Sequence, residues 1–244
     1  MKARALPTRP LPTLRLGAAA RAMKALLNDP DDTAQVFRII EALSGRNGER
    51  TVDRLKRTAS GKRLLDARPA LLDKLVDHES LSKLPEGSLG REYIRFLKSE
   101  GITPEGLKQA SIDGRSKNVG DVPEDVEFLR DRMRDTHDLW HVVTGYKGDL
   151  VGEASLLAFS FAQTRNPGIG FIVAIALLRG SEPSVRRLIW QGFTRGARAE
   201  WLPAIEWEKL LSLPLATVRK KLNVGAPPVY QTVRSSEYLG GMAA

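Results

Sequence analysis

The chain has 244 residues, 42% of them hydrophobic and 27% charged, enough for one domain that buries roughly 70% of its extended surface. That composition excludes a collagen-like chain and wholesale disorder, and the absence of cysteine excludes disulfides, thiolate zinc sites, cysteine nucleophiles and cysteine-ligated iron–sulfur clusters. Of the formal charge of +9, the six bases Lys2, Arg4, Arg9, Arg15, Arg21 and Lys24 fall within the first 28 residues with no acid among them, leaving 32 bases against 29 acids, or +3, elsewhere. Such an arm favours anionic partners such as phospholipid headgroups, phosphates or nucleic acid; a membrane surface or plain solubility is expected over nucleic acid, since no motif for reading nucleic acid accompanies it. It is Arg-rich like a transit peptide, but Pro7, Pro10 and Pro12 interrupt an amphipathic helix and it has no serine, so a cleaved targeting signal is not expected. The longest apolar run, 169–178, is half the length of a membrane span, so no transmembrane helix is expected.

Taken in chain order, the apolar spacing reads as helices throughout. Leu16, Ala20, Met23 and Leu27 form one helical stripe; Asp31 or Asp32 then caps a second helix carrying Val36, Ile39, Ile40 and Leu43, which Gly45 ends. Further helical segments read at 52–58, 63–65, 69–76 and 88–98, the last closed by Gly101. Pro123 and Glu124 open a long helix to about residue 143, and after the turn Gly145-Tyr146-Lys147-Gly148 another runs over 149–163. Asn166-Pro167-Gly168 breaks the chain before the apolar run, and segments follow at 183–198, 205–211 and 214–222. A polar tail from Gly225, loose or wrapped on the surface, completes the chain. No alternation demands a strand, so the expected fold is all-α, a single multi-helix domain over 16–224 with a basic arm (1–15) and a tail (225–244).

Chemistry concentrates in His137-Asp138-Leu139-Trp140-His141. Residues i and i+4 stand one turn apart on a helix, so both imidazoles can address one point. His137 continues the apolar stripe of Val126, Leu129, Met133 and Trp140, with His141 at its edge, which turns both inward. Glu153 follows eleven residues after His141, across a turn short enough to fold the next helix back at matching height. Two histidines and a carboxylate, with Asp138 as a fourth ligand or an orienting base, form a ligand set for a divalent metal with an open position. An uncompensated core of two imidazoles and two carboxylates would be costly. His78, in Asp77-His78-Glu79, lacks such geometry and reads as a surface residue. Arg132, Arg134, Arg186, Arg187, Arg195 and Arg198 read mostly as a solvated face, able in principle to meet a carboxylate or phosphate.

The motif His137-Asp138-x-x-His141 with Glu153, within Arg132-Met133-Arg134-Asp135-Thr136, resembles the zinc-ligand motif of the coenzyme Q biosynthesis protein 4 family. Asn28-Asp29-Pro30, the stretch from Gly87 to Tyr93, Gly152-Glu153 with Phe159 and Gln163, the stretch from Trp207 to Leu211, and Val218-Arg219 resemble family features too. The likeness runs over about 16–224. It implies an all-helical fold with a metal site beside an apolar lipid-binding tunnel, on a protein working with other ubiquinone biosynthesis enzymes at a membrane face: the cytoplasmic face in a bacterium, the matrix side in a mitochondrion. It implies a polyprenylated aromatic acid as substrate, oxidative decarboxylation at C1 with carboxylate replaced by hydroxyl, a homo-oligomer, and His137, Asp138, His141 and Glu153 as metal and catalytic residues.

Zinc is the implied metal, but it has no redox chemistry, so an electron-rich phenol must meet dioxygen directly or the metal must be iron, manganese or cobalt. A non-catalytic lipid-binding scaffold is the competing reading. A phosphohydrolase of the His-Asp class is a third, for which only His78 is left as a further histidine. The segment with Leu156, Leu157, Phe159 and Phe161, followed by 168–178, reads either as tunnel lining or as a central helix pair.

Overall fold

The computed structural model describes residues 13–114, 122–180 and 182–234. Among the described residues fourteen α-helices follow one another: α1 Leu16–Asn28, α2 Thr33–Leu43, α3 Asn47–Leu55, α4 Ala59–Ala67, α5 Leu71–Val76, α6 His78–Ser82, α7 Leu89–Glu100, α8 Pro104–Asp113, α9 Glu124–Asp135, α10 His137–Thr144, α11 Leu150–Thr164, α12 Pro167–Arg179, α13 Pro183–Arg198 and α14 Leu215–Leu222. Among the described residues there is no strand, only an isolated antiparallel bridge between Ser88 and Pro214. No described helix is long and apolar enough to cross a membrane.

The helix punctuation is local. Ser88 caps α7 by accepting from Arg91 N, and Gly101 ends it in the left-handed region that glycine favours. Asn166 accepts from Gly168 N and Ile169 N, so Asn166-Pro167-Gly168 both breaks the chain and starts α12. Asp32 stands at the cap position of α2, yet its carboxylate accepts from the Gln35 amide rather than from the backbone.

Several sequence expectations are corrected. The helix expected over 124–143 divides at Thr136, where ψ opens to −7° and the hydroxyl donates to the Met133 carbonyl. The segment expected at 205–211 holds only one short 3-10 turn, Trp207–Lys209, with another, Leu202–Ala204, just before it; the burial of Leu202 and Trp207 ties the two down. Helices α6 and α8 were not expected at all. The arm lies mostly outside the described residues, but Arg15 is pinned by its ion pair with Glu41 at 2.6 Å. The tail wraps the surface as far as residue 234: Tyr230 donates to Asp149 Oδ2 at 2.8 Å and accepts from Lys147 N, Leu150 N donates to Val233 O, and Arg234 pairs with Glu100.

The main core gathers Tyr93, Leu139, Phe159 and Trp207, all essentially inaccessible. A second core joins α1, α2 and α12 through Met23, Ile39 and Ile172. Helix α11 lies between α12 and α13 and touches both, and its contact with α13 is so close that a Cβ on Gly192 would come 2.2 Å from the Ser155 carbonyl oxygen. A cavity of about 1590 Å³ is walled largely by apolar side chains of α1, α2, α9, α11 and α12, such as Met23, Val36, Met133, Leu157 and Ile172. Leu157 of the segment singled out in sequence faces this cavity, while Leu156 and Phe159 are fully buried in the main core.

Candidate metal centre

Helix α10 has only eight residues, and its last carbonyls would stand unpaired without help from elsewhere. Arg219 donates to the carbonyls of Val142 and Val143 at 2.9 and 3.0 Å, and Arg195 donates to that of Thr144 at 2.8 Å. Two guanidinium groups at a helix C-terminus also oppose the negative end of its dipole. Gly145, at φ +79°, donates to the His141 carbonyl and turns the chain toward α11; a Cβ there would come 2.6 Å from Pro227. At the far side of the turn the buried Asp149 caps α11 by accepting from Val151 N and Gly152 N, and it also accepts from Val233 N and the Tyr230 hydroxyl. Glu153 stands one turn into that helix.

The result is convergence. His141 Nε2 lies 3.2 Å from His137 Nε2 and 3.1 Å from Glu153 Oε1, while His137 Nε2 lies 3.7 Å from Glu153 Oε2. The three ligand atoms fall within 4.8 Å of one another, and among the described residues this is the one such cluster of His, Asp and Glu. Two nitrogens bound tetrahedrally at roughly 2.0–2.1 Å would stand about 3.3 Å apart, close to the separation of the two imidazoles, so the histidine pair is spaced for a zinc-sized ion and the Glu153 carboxylate would have only to turn one oxygen onto it. His141 Nδ1 faces the Tyr146 carbonyl at 3.0 Å, which fixes the proton on that nitrogen and leaves Nε2 for the shared point. The Phe96 ring stacks on His141 with centroids 5.1 Å apart and holds its plane.

Burial differs from the expectation in one respect: His141, expected at the edge of the stripe, is 1% exposed, and His137 keeps 29% of its side chain accessible at the cavity wall. Burial alone would push the His141 imidazole down, but the charge and hydrogen bond of Glu153 overturn this and lift it to about 9. Burial would likewise raise Glu153, and the His141 charge instead lowers it to about 2. Burial and the neighbouring His141 push His137 down, so it stays neutral.

Asp138 stands outside the three-residue cluster, buried at the cavity wall, with its carboxyl pushed up by burial against the lowering effect of the two histidines. His78 is exposed on α6, away from the cluster. The arginines read as a solvated face divide: Arg132 and Arg134 are buried, the first forked onto Glu208 with a further bond to the Ile205 carbonyl, the second paired with Asp131 and Asp135. Sequence reasoning missed the supporting roles of Tyr146, Arg195, Arg219 and Tyr230, because each acts through a contact between residues that no helical period connects.

Residues 4–228 match the family described as coenzyme Q (ubiquinone) biosynthesis protein Coq4, so the likeness begins inside the basic arm rather than at residue 16. The mitochondrial ubiquinone biosynthesis protein COQ4 homologues of rat and human are each 30% identical to the chain, over 91% and 92% of its length and 82% and 83% of theirs. The crystal structure of a protein from Nostoc punctiforme named for ubiquinone biosynthesis superposes with a TM-score of 0.63 at 26% identity, over 88% of this chain and all of that one. With its helical fold and with the match spanning nearly its whole length, this chain belongs to the Coq4 family of ubiquinone biosynthesis proteins.

Proposed function

We propose that the chain holds a divalent metal through His137, His141 and Glu153 and carries out the oxidative decarboxylation at C1 of a polyprenylated 4-hydroxybenzoate-derived head group. One observation carries this reading: the cluster of three donors stands at the edge of a large cavity whose walls are otherwise mainly apolar, with His137, Asp138 and Glu153 among its lining. Zinc suits the donor set and its spacing, and iron, manganese or cobalt are compatible with it. Bound there, the ion supplies Lewis-acid stabilisation of an oxygen anion on the substrate.

The remaining work falls to the protein. The apolar walls take up the prenyl chain, each buried methylene contributing about 0.8 kcal/mol, and so hold the head group beside the donor cluster. Asp138, its carboxyl raised by burial, is a group at the cavity wall able to exchange a proton with the phenol. The ring carbon para to a phenolate is electron-rich; dioxygen takes two electrons from the ring and leaves as hydrogen peroxide, the carboxyl carbon departs as carbon dioxide, and one water supplies the hydroxyl that takes its place, so that acid, dioxygen and water give phenol, carbon dioxide and hydrogen peroxide. We place the chain's action at a membrane face, the matrix side of the inner membrane in a mitochondrion or the cytoplasmic face in a bacterium, alongside other ubiquinone biosynthesis enzymes; the names of the rat and human relatives support the mitochondrial compartment.

The test is His137→Ala in cells whose own gene has been removed, with metal content and helicity measured on the purified variant. The expected outcome is a folded protein that has lost its metal and no longer supports quinone synthesis. A folded, metal-free variant that restores synthesis in full refutes the catalytic reading and leaves a lipid-holding scaffold.

A further inference from the structure

We propose that the α12–α13 hairpin docks on an anionic lipid bilayer and that prenyl lipid enters the cavity where the two helices meet. Helix α12 carries no charge before Arg179, and its outward stripe includes Pro167, Ala174 and Leu178, the last 75% exposed. On α13, Trp190 is 59% exposed and stacked on Phe193 at 5.3 Å. Large apolar side chains held in water in this way mark a contact surface, and tryptophan in particular suits the boundary between headgroups and acyl chains.

The charge on the hairpin selects the partner. Over 166–198 there are five arginines and one acid, Glu182. Arg195 is turned inward onto backbone carbonyls, whereas Arg179 and Arg187 are exposed and have no ion-pair partner among the described residues. Exposed apolar groups beside unpaired cations complement a surface that is apolar inside and anionic outside. The cavity reaches the same place: Ala176, Arg179, Gly180, Glu182 and Val185 belong to its lining. A second protein copy would explain the exposed surface but not why the cavity extends to it. The docking stands on these surfaces alone; the entry route rests on the prenylated substrate proposed above.

Flotation of the full-length chain with vesicles of phosphatidylcholine, with and without phosphatidylglycerol, tests the docking. The chain is expected to float only with the anionic vesicles, with a blue shift of tryptophan emission that Trp190→Phe removes. Arg179→Gln combined with Arg187→Gln should weaken binding about 30-fold, from about fivefold per arginine. Leu178→Glu with Trp190→Glu should abolish it, and should cut uptake of a polyprenylated 4-hydroxybenzoate from vesicles at least tenfold while uptake from detergent micelles persists.

Unchanged flotation of the Leu178→Glu/Trp190→Glu variant overturns the proposal and moves the contact elsewhere on the chain. So does a substitution that alters self-association while the unaltered chain ignores vesicles. Unchanged uptake from vesicles overturns the entry route. Zinc binding on the same samples separates this from the metal reading: the docking variants should keep their zinc, and His137→Ala should still float.

Discussion

Zinc binding should release one proton per ion at neutral pH and tighten as pH rises. In the metal-free site His141 holds a proton up to about 9 because Glu153 Oε1, 3.1 Å away, outweighs the cost of burying the charge. An entering ion must displace that proton, since only a neutral imidazole ligates. His137 is pushed down and already neutral at pH 7, and Glu153, lowered to about 2, is already ionised, so neither adds to the count. With a value near 9, about one His141 in a hundred is neutral at pH 7, which places the apparent affinity about hundredfold below its limit. Affinity then rises about tenfold per pH unit and levels off above 9. Calorimetric titration against a competing chelator, in buffers of different ionisation enthalpy between pH 6.5 and 8, reads both the slope and the proton count. An affinity that stays flat between pH 7 and 8, or a release of two protons, refutes the argument.

The same pair sets the stability of the metal-free protein. Because the folded value for His141 lies above its ordinary one of 6.5, the stabilisation is complete below about 6.5 and is lost as pH climbs to about 9; thermal scans across that window should show a falling midpoint, and Glu153→Gln should flatten the dependence. Glu208→Ala strands the Arg132 guanidinium, 3% exposed, and should cost about 3–5 kcal/mol in chemical unfolding, most of it recovered when Arg132→Met is combined with Glu208→Leu; a loss under about 1 kcal/mol would mean that water reaches Arg132. Gly192→Ala forces a methyl toward the Ser155 carbonyl and should cost about 1–3 kcal/mol, lowering the unfolding midpoint by about 2–4 °C per kcal/mol; an unchanged midpoint would show that α11 and α13 slide apart freely.

What the sequence determined by itself was whatever rests on local periodicity and punctuation. The helical class, the stops at Gly45 and Gly101 and the N-terminal signal of Asn166-Pro167 are read from neighbours in the chain, because backbone hydrogen bonding in a helix is local. The i, i+4 pair and the short turn also made His137, His141 and Glu153 legible as one constellation. Tertiary structure alone decided how that constellation is held. The break at Thr136, the greater depth of His141 and the exclusion of Asp138 from the close cluster depend on how α9, α10 and α11 pack. The carbonyls of α10 are satisfied by Arg195 and Arg219, more than fifty residues away, and the cap of α11 is bonded by Tyr230 from the tail. The cavity likewise belongs to no single segment, since its walls come from helices that meet only in the folded chain. Periodicity tells a residue which way to face; the packing of distant helices determines what it meets there.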